Sequence, residues 1–368
     1  MNRALRTTLA TITALTLTGA ASCTLLADDG DDSGETKIEA TDGVDPADAI
    51  AGTTVTLVTH DSFNLPKKLI RQFQKDTGAT LKIRPSGDAG KLTNALALSQ
   101  SNPIGDVAFG VDNTFASRAV DEDVFATYAA ELPGSAEKLR LDGDAGDKLA
   151  PIDQASVCVN VDTAWFEKND QEPPTSLDDL TDPAYKDLTV IPGAATSSPG
   201  LAFLLATIAE YGDDWPDYWT DLVGNGAELT EGWTDAYYGG FTGGGDGDRP
   251  IVVSYDTSPA FTVDKKTGET TTAALLDTCF RQVEYAGVLE NANNPVGGQA
   301  VVDWLLSPEV QAALPDNMYV FPVDDSVALP KEWAKFAQQP TEPYEVSADD
   351  ISEHRAEWLT EWTDIVSR

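Results

Sequence analysis

Histidine is almost missing from this 368-residue chain: His60 and His354 are the only two, which excludes a histidine-rich metal site. Cysteine is scarce too, and Cys23, Cys158 and Cys279 form neither a C-x-x-C pair nor a zinc-finger spacing. Positive charge is thin, with 24 Lys and Arg against 61 Asp and Glu and a formal net charge of −37. Nucleic acid is excluded as a partner, because its phosphates would be repelled. There is no G-x-S-x-G elbow and no H-E-x-x-H, and the carboxylates are too many for one pair to stand out as catalytic. Gly239-Gly240 and Gly243-Gly244-Gly245 lack the Gly-Lys-Ser/Thr of a phosphate loop. Asp246-Gly247-Asp248 follows instead, and a flexible surface loop is expected there. No metal, no cofactor and no internal repeat are implied.

What is present begins at the N-terminus. Arg3 and Arg6 precede the uncharged apolar stretch 9–18, which is too short to span a bilayer as a helix, and Gly19-Ala20-Ala21-Ser22 leads into Cys23. Residues 1–22 read as a secretory signal peptide. The small residues before Cys23 resemble the lipobox of bacterial lipoproteins, with Ala20 where that motif usually has leucine. Cys23 is then the acylated residue, and 23–50 are expected to be a disordered tether, since Asp28-Asp29-Gly30-Asp31-Asp32-Ser33-Gly34 has almost nothing to bury. The expected location is extracytoplasmic, on the outer face of the cell membrane. About 320 residues remain, enough for two compact lobes. In an exported protein Cys158 and Cys279 are either disulfide-bonded or two buried thiols. The excess carboxylate reads as a solvated face first and as a bias towards cationic solutes second.

Hydrophobic spacing gives the architecture. A strand at 53–59 runs into His60-Asp61-Ser62-Phe63, and a helix with Leu69, Ile70 and Phe73 on one face ends at Gly78. A strand with Leu81 and Ile83, a helix over 91–100, an apolar strand at 106–112 and a helix to about Val120 follow. That alternation is the pattern of a parallel-sheet α/β protein, in which ligands bind beyond the carboxyl ends of the strands. A second α/β unit begins near Ser156, with helices at 199–211 and 215–222, strands at 251–255 and 281–285, and a helix over 298–314. The last helix, 348–366, places Trp358 and Trp362 on one face, where they dock it onto the core.

Three turns carry ligand-type chemistry. Ser197-Ser198-Pro199-Gly200 opens an apolar helix, with Ser198 as the expected cap and free N–H groups facing outward. Tyr255-Asp256-Thr257-Ser258-Pro259 repeats the arrangement at a strand end, with Thr257 or Ser258 as the cap. Gly232-Trp233 puts an aromatic face at a turn, where it can hold a flat or cationic ring.

These segments, with Gly110-Val111-Asp112-Asn113, Tyr211-Gly212-Asp213-Asp214, Leu306-Ser307-Pro308-Glu309-Val310-Gln311 and the helix ending at Arg368, occur in an order that resembles the thiamine-binding periplasmic proteins of ABC transporters. The resemblance implies a type II periplasmic-binding-protein fold, α/β and two-lobed, with the ligand in the cleft. It implies one lobe from 51–155 and about 285–317, and another from 156–284 and about 318–368. Carried over, the ligand contacts are Asp88, Ala89, Ser197, Ser198, Trp233, Tyr255, Asp256, Thr257 and Ser258, with His60 and Tyr319 where the family has tyrosine and tryptophan. The implied partners are thiamine or its phosphates, an ABC permease, and the membrane through a lipid anchor; the protein is expected to act as a monomer. Ferric iron is the main rival, with Tyr237-Tyr238 the one adjacent tyrosine pair, alongside a polyamine. A thiamine-degrading enzyme would need an activated cysteine, and neither Cys158 nor Cys279 has a neighbouring base.

Overall fold

The computed structural model describes residues 49–368. The signal peptide, Cys23 and nearly all of the expected tether lie outside the described residues. Nine strands are described: β1 (Thr54–Thr59), β2 (Thr80–Pro85), β3 (Val107–Asp112), β4 (Ala150–Asp162), β5 (Thr189–Pro192), β6 (Glu228–Thr230), β7 (Ile251–Tyr255), β8 (Thr272–Val288) and β9 (Phe321–Pro322).

They form one sheet in the order β2-β1-β3-β8-β4-β7-β5-β6, with β9 added to β4. At one end β2, β1 and β3 are parallel; at the other β7, β5 and β6 are parallel. Each parallel wing is built from strand–helix–strand units. The helix Lys67–Thr77 returns the chain from β1 to β2 and stops at Gly78, whose φ of 71° is a left-handed conformation that glycine adopts freely. The helix Ser198–Tyr211 is buried over its first ten residues, as its unbroken apolar run requires.

The two wings are joined by β4 and β8, long antiparallel strands that pair from Ala150 opposite Ala286 to Asp162 opposite Thr272. The lobe boundaries expected at 155/156 and 284/285 fall inside these two strands. Cys158 and Cys279 are disulfide-bonded, which settles the alternative left open by the sequence. The bond ties β4 to β8 where their register shifts between Val157 and Val159. The C-terminal helix Ala348–Val366 buries Trp362 against Trp219 at 5.7 Å between ring centres, while its Ser352 hydroxyl donates to Asp121 on the other wing.

Three sequence expectations are revised. The short strand at 281–285 extends to seventeen residues as β8. The helix expected over 298–314 is three pieces, Pro295–Leu305, Pro308–Gln311 and Leu314–Met318. Pro308 and Pro315 each lack the N–H a continuing helix needs and start a new turn instead. The glycine run lies at the surface, with Gly239, Gly245, Asp246 and Asp248 exposed, but it is also closely packed: a Cβ on Gly247 would sit 2.1 Å from the Gly240 backbone, and one on Gly244 would sit 2.3 Å from the Tyr237 carbonyl oxygen. Glycine is needed there for close approach of one turn to another.

Candidate functional site

The carboxyl ends of both parallel wings open onto one cavity. His60 and Ser62 enter from the end of β1, and Asp88 from the end of β2. From the other wing come Trp233 after β6, Tyr255, Thr257 and Ser258 at the end of β7, and Ser198 at the start of its helix. Glu284 comes from the crossing strand β8, and Tyr319 from the segment before β9. Eight of the eleven ligand residues expected from the sequence therefore line the cavity.

Ala89, Ser197 and Asp256 do not line it. Each adjoins a lining residue and turns its side chain elsewhere; Ser197 and Asp256 are completely buried. Burial pushes the Asp256 carboxyl up to about 7, partly offset by Ser156 and Arg281. The residues the sequence did not single out for the ligand are Ser62, Phe261, Glu284, Met318 and Val320, together with Tyr237 and Tyr238, which it weighed only as iron ligands. Glu284 carried a signal: with Gln282 it places two polar residues on one face of the strand where the opposite face holds Val283 and Tyr285.

One wall is aromatic. Trp233 stacks on Tyr237 with ring centres 5.0 Å apart and planes 19° from parallel, and meets Tyr238 edge-on at 5.5 Å. The Trp233 indole N–H donates to the Ser254 hydroxyl at 2.9 Å, and that oxygen lies 2.9 Å from the Ser258 hydroxyl. Tyr319 packs its ring against Phe261 at 4.5 Å, and its carbonyl accepts from the Thr257 hydroxyl at 2.6 Å. Tyr319 has φ of 57°, a left-handed conformation that a bulky side chain seldom adopts and that marks a constrained position.

The predicted caps behave differently from expectation. Ser197 is the N-cap residue of the helix, and Ser198 is its first residue; the Ser198 hydroxyl donates to Asp112 at 2.6 Å rather than to its own helix. Thr257 and Ser258 likewise spend their hydroxyls on Tyr319 and Ser254. The hydroxyls thus pin the cavity walls to each other.

The polar floor is acidic. Asp88 accepts from the Ala89 N–H at 2.7 Å and from the Trp233 N–H at 3.0 Å. Burial pushes the Glu284 carboxyl well above its ordinary range, with Asp153 raising it further and His60 opposing. Asp112 is held at about 6, burial outweighing hydrogen bonds from Ser198, Thr114 and Phe115. The one basic side chain lining the cavity is His60, with Nε2 at 3.6 Å from Glu284 Oε1. His60 owes its place to Gly110, where β3 bulges: a Cβ there would lie 2.3 Å from the imidazole Cδ2. An aromatic wall above buried carboxyls suits a flat, positively charged solute. Among the described residues no group of three or more His, Cys, Asp or Glu is arranged to hold a metal ion.

Known proteins place this arrangement. The "Thiamine-binding periplasmic protein" of Salmonella typhimurium is 29% identical over 332 residues, covering 88% of this chain and 96% of the relative. That of Brucella suis is 29% identical over 336 residues, with 89% and 96% covered. A solved "Periplasmic thiamin binding protein" superposes with a TM-score of 0.75 at 27% identity, over 86% of this chain and 96% of that one. Iron-bound HitA from Pseudomonas aeruginosa shares the fold at a TM-score of 0.68 and 20% identity, over 85% and 99%. The model of the bacterial extracellular solute-binding protein family matches residues 102–344, and this chain belongs to that family, with the type II periplasmic-binding-protein fold.

Proposed function

We propose that this chain captures thiamine outside the cytoplasm and delivers it to an ABC importer. The observation that carries the reading is the cavity itself: Trp233, Tyr237, Tyr255, Phe261 and Tyr319 supply aromatic faces, while Asp88 and Glu284 supply carboxyls and no Lys or Arg lines it. Thiamine has a permanently cationic thiazolium and a planar aminopyrimidine. Each aromatic face under the cation contributes ~0.5–2 kcal/mol, more where water is excluded. The names of the relatives support the same ligand.

The phosphate esters stay within the proposal, because the hydroxyls of Ser198, Thr257 and Ser258 and the start of the helix Ser198–Tyr211 suit anionic oxygens. Acylation of Cys23, export through residues 1–22 and docking of a monomer onto a permease complete the reading. The chain binds rather than degrades its ligand: with Cys158 and Cys279 bonded to each other, the described residues offer no thiolate nucleophile.

Ferric iron is the second reading, because Tyr237 and Tyr238 both line the cavity. Burial raises both phenols, whereas iron ligation needs phenolates, so the chemistry favours the organic cation. Calorimetry and thermal unfolding with thiamine, its mono- and diphosphate, ferric iron and spermidine test the proposal. Thiamine is expected to bind and to raise the melting temperature by mass action. Stabilisation by iron or spermidine alone would replace it.

A further inference from the structure

Beneath the aromatic wall lies a pair of acids with no counter-ion of matching strength. Asp153 of β4 and Glu284 of β8 are directly opposite each other in the ladder where the two crossing strands pass between the wings. Asp153 is completely buried; no N–H or hydroxyl group reaches either of its oxygens, and its one hydrogen-bonding partner is the Glu284 carboxyl. Glu284 is 8% exposed, and that exposure is to the cavity it lines. Asp112 of β3 is opposite Glu284 on its other side. Tyr255 of β7 faces the same carboxyl as a neutral phenol, held protonated by burial and by that acid. Within 4.0 Å the one basic side chain among the described residues is His60, which is buried and whose Nε2 makes no hydrogen bond.

Two carboxylates side by side in a dry strand pair repel each other and lose their hydration, so the pair keeps a proton while the cavity is empty. Burial raises Asp153 to about 8 even against the hydrogen bond from Glu284 that lowers it, and burial together with Asp153 raises Glu284 in the same direction. The proton belongs to the pair rather than to either residue. A fixed positive charge in the cavity reverses the balance. It faces Glu284 directly and favours the ionised acid over the neutral one.

We propose that Glu284, backed by Asp153, is the specificity-determining acid of the cavity, and that a cationic ligand displaces their shared proton to solvent as it binds. The inference rests on the thiamine reading above and adds to it a proton stoichiometry. The proton leaves as the ligand's charge arrives, and no covalent bond changes. Capture therefore strengthens as pH rises. A neutral analogue of the same shape gains nothing from the exchange, because it cannot offset the charge left on Glu284.

The test is calorimetry with thiamine in buffers of different ionisation enthalpy, repeated between about pH 6 and 8.5. Release of close to one proton is expected, with affinity rising up to about tenfold per pH unit while the pair titrates. Glu284→Gln should abolish the release and weaken binding at high pH by about 30-fold or more. Asp153→Asn keeps Glu284 in place and removes the acid that raises it, so the rise in affinity should move to lower pH. His60→Asn should leave the release in place. Thiamine binding in the wild type with no proton released and a flat pH profile would overturn the inference while leaving the ligand intact. Loss of the release in His60→Asn alone would also overturn it, by assigning the proton to the imidazole. Failure of thiamine to bind at any pH would instead remove the function proposed above.

Discussion

The carboxylate of Asp88 accepts a hydrogen bond from the main-chain N–H of Trp233 at 3.0 Å, linking the loop after β2 to the loop after β6 at the far end of the same sheet. Its other oxygen takes the Ala89 N–H, so one side chain caps a helix and holds the opposite wing. Lys91 pairs with Glu231, and the Ser62 and Thr234 hydroxyls meet at 3.3 Å beside it. These contacts fasten the mouth of the cavity on one side.

Asp88→Asn keeps the volume but turns an amide N–H₂ towards one of two N–H donors. Losing one charge-assisted hydrogen bond costs about 1.5–3 kcal/mol. The expected outcome is weaker thiamine binding by about tenfold or more and a larger radius of gyration for the free protein in small-angle scattering. An unchanged radius would mean that Asp88 does not hold the wings together.

Trp233 is half-buried, stacked on Tyr237 and anchored by its indole N–H to Ser254. Trp233→Ala should weaken thiamine binding by about 2 kcal/mol or more, as a desolvated aromatic anchor does. Trp233→Phe keeps a face for the ligand and loses the bond to Ser254, so it should fall between the two. Calorimetry on both variants, with circular dichroism as the folding control, checks the order; equal affinities would take the indole out of the site.

Gly110 has φ of 101°, and a Cβ on it would collide with His60. Gly110→Ala therefore combines backbone strain with displacement of the imidazole, a cost of about 2 kcal/mol or more. With only two histidines in the chain, the His60 ring signals are separable by NMR from those of His354. They should shift in this variant while those of His354 stay put.

The fold was readable because its strands end in short-range signals. TTVTLVT before His60 and IVVSY before Tyr255 are apolar runs closed by polar turns, and the topology of parallel wings then delivers those turns to one place. What stayed hidden was long-range. Nothing local in Arg281–Tyr285 says that β8 runs seventeen residues, crosses both wings and sets Glu284 opposite Asp153. Neighbours were hard to separate for a simpler reason: Asp256 lies between Tyr255 and Thr257, and adjacent residues at a strand end point different ways. The cysteines allowed a bond without requiring one; the pairing of β4 with β8 brings them together.

The Cys158–Cys279 bond closes a span of 121 residues between the two crossing strands. Restricting so long a loop in the unfolded chain is worth about 2–5 kcal/mol. Replacing both cysteines by alanine should lower unfolding free energy in denaturant by that order. Reductant should destabilise the wild type and leave the double variant unchanged; a response of the double variant to reductant would point away from this bond.

Acid should stabilise this protein over a range where many proteins lose stability. Asp112, Asp256 and Asp153 have carboxyls raised to about 6, 7 and 8, each chiefly by burial. In the unfolded chain all three would titrate near ~4. Between those values the folded protein holds more protons than the unfolded one, so stability must fall as pH rises from about 4 to 8, by up to ~1.4 kcal/mol per pH unit for each extra proton. The net charge of −37 pushes the same way through self-repulsion, but salt screens that contribution and leaves buried titrations nearly untouched. Denaturant unfolding at pH 5 and pH 8, in low salt and in about 0.5 M salt, separates the two. A pH difference that survives salt and shrinks in Asp256→Asn assigns it to the buried acids, whereas one that salt removes assigns it to the surface.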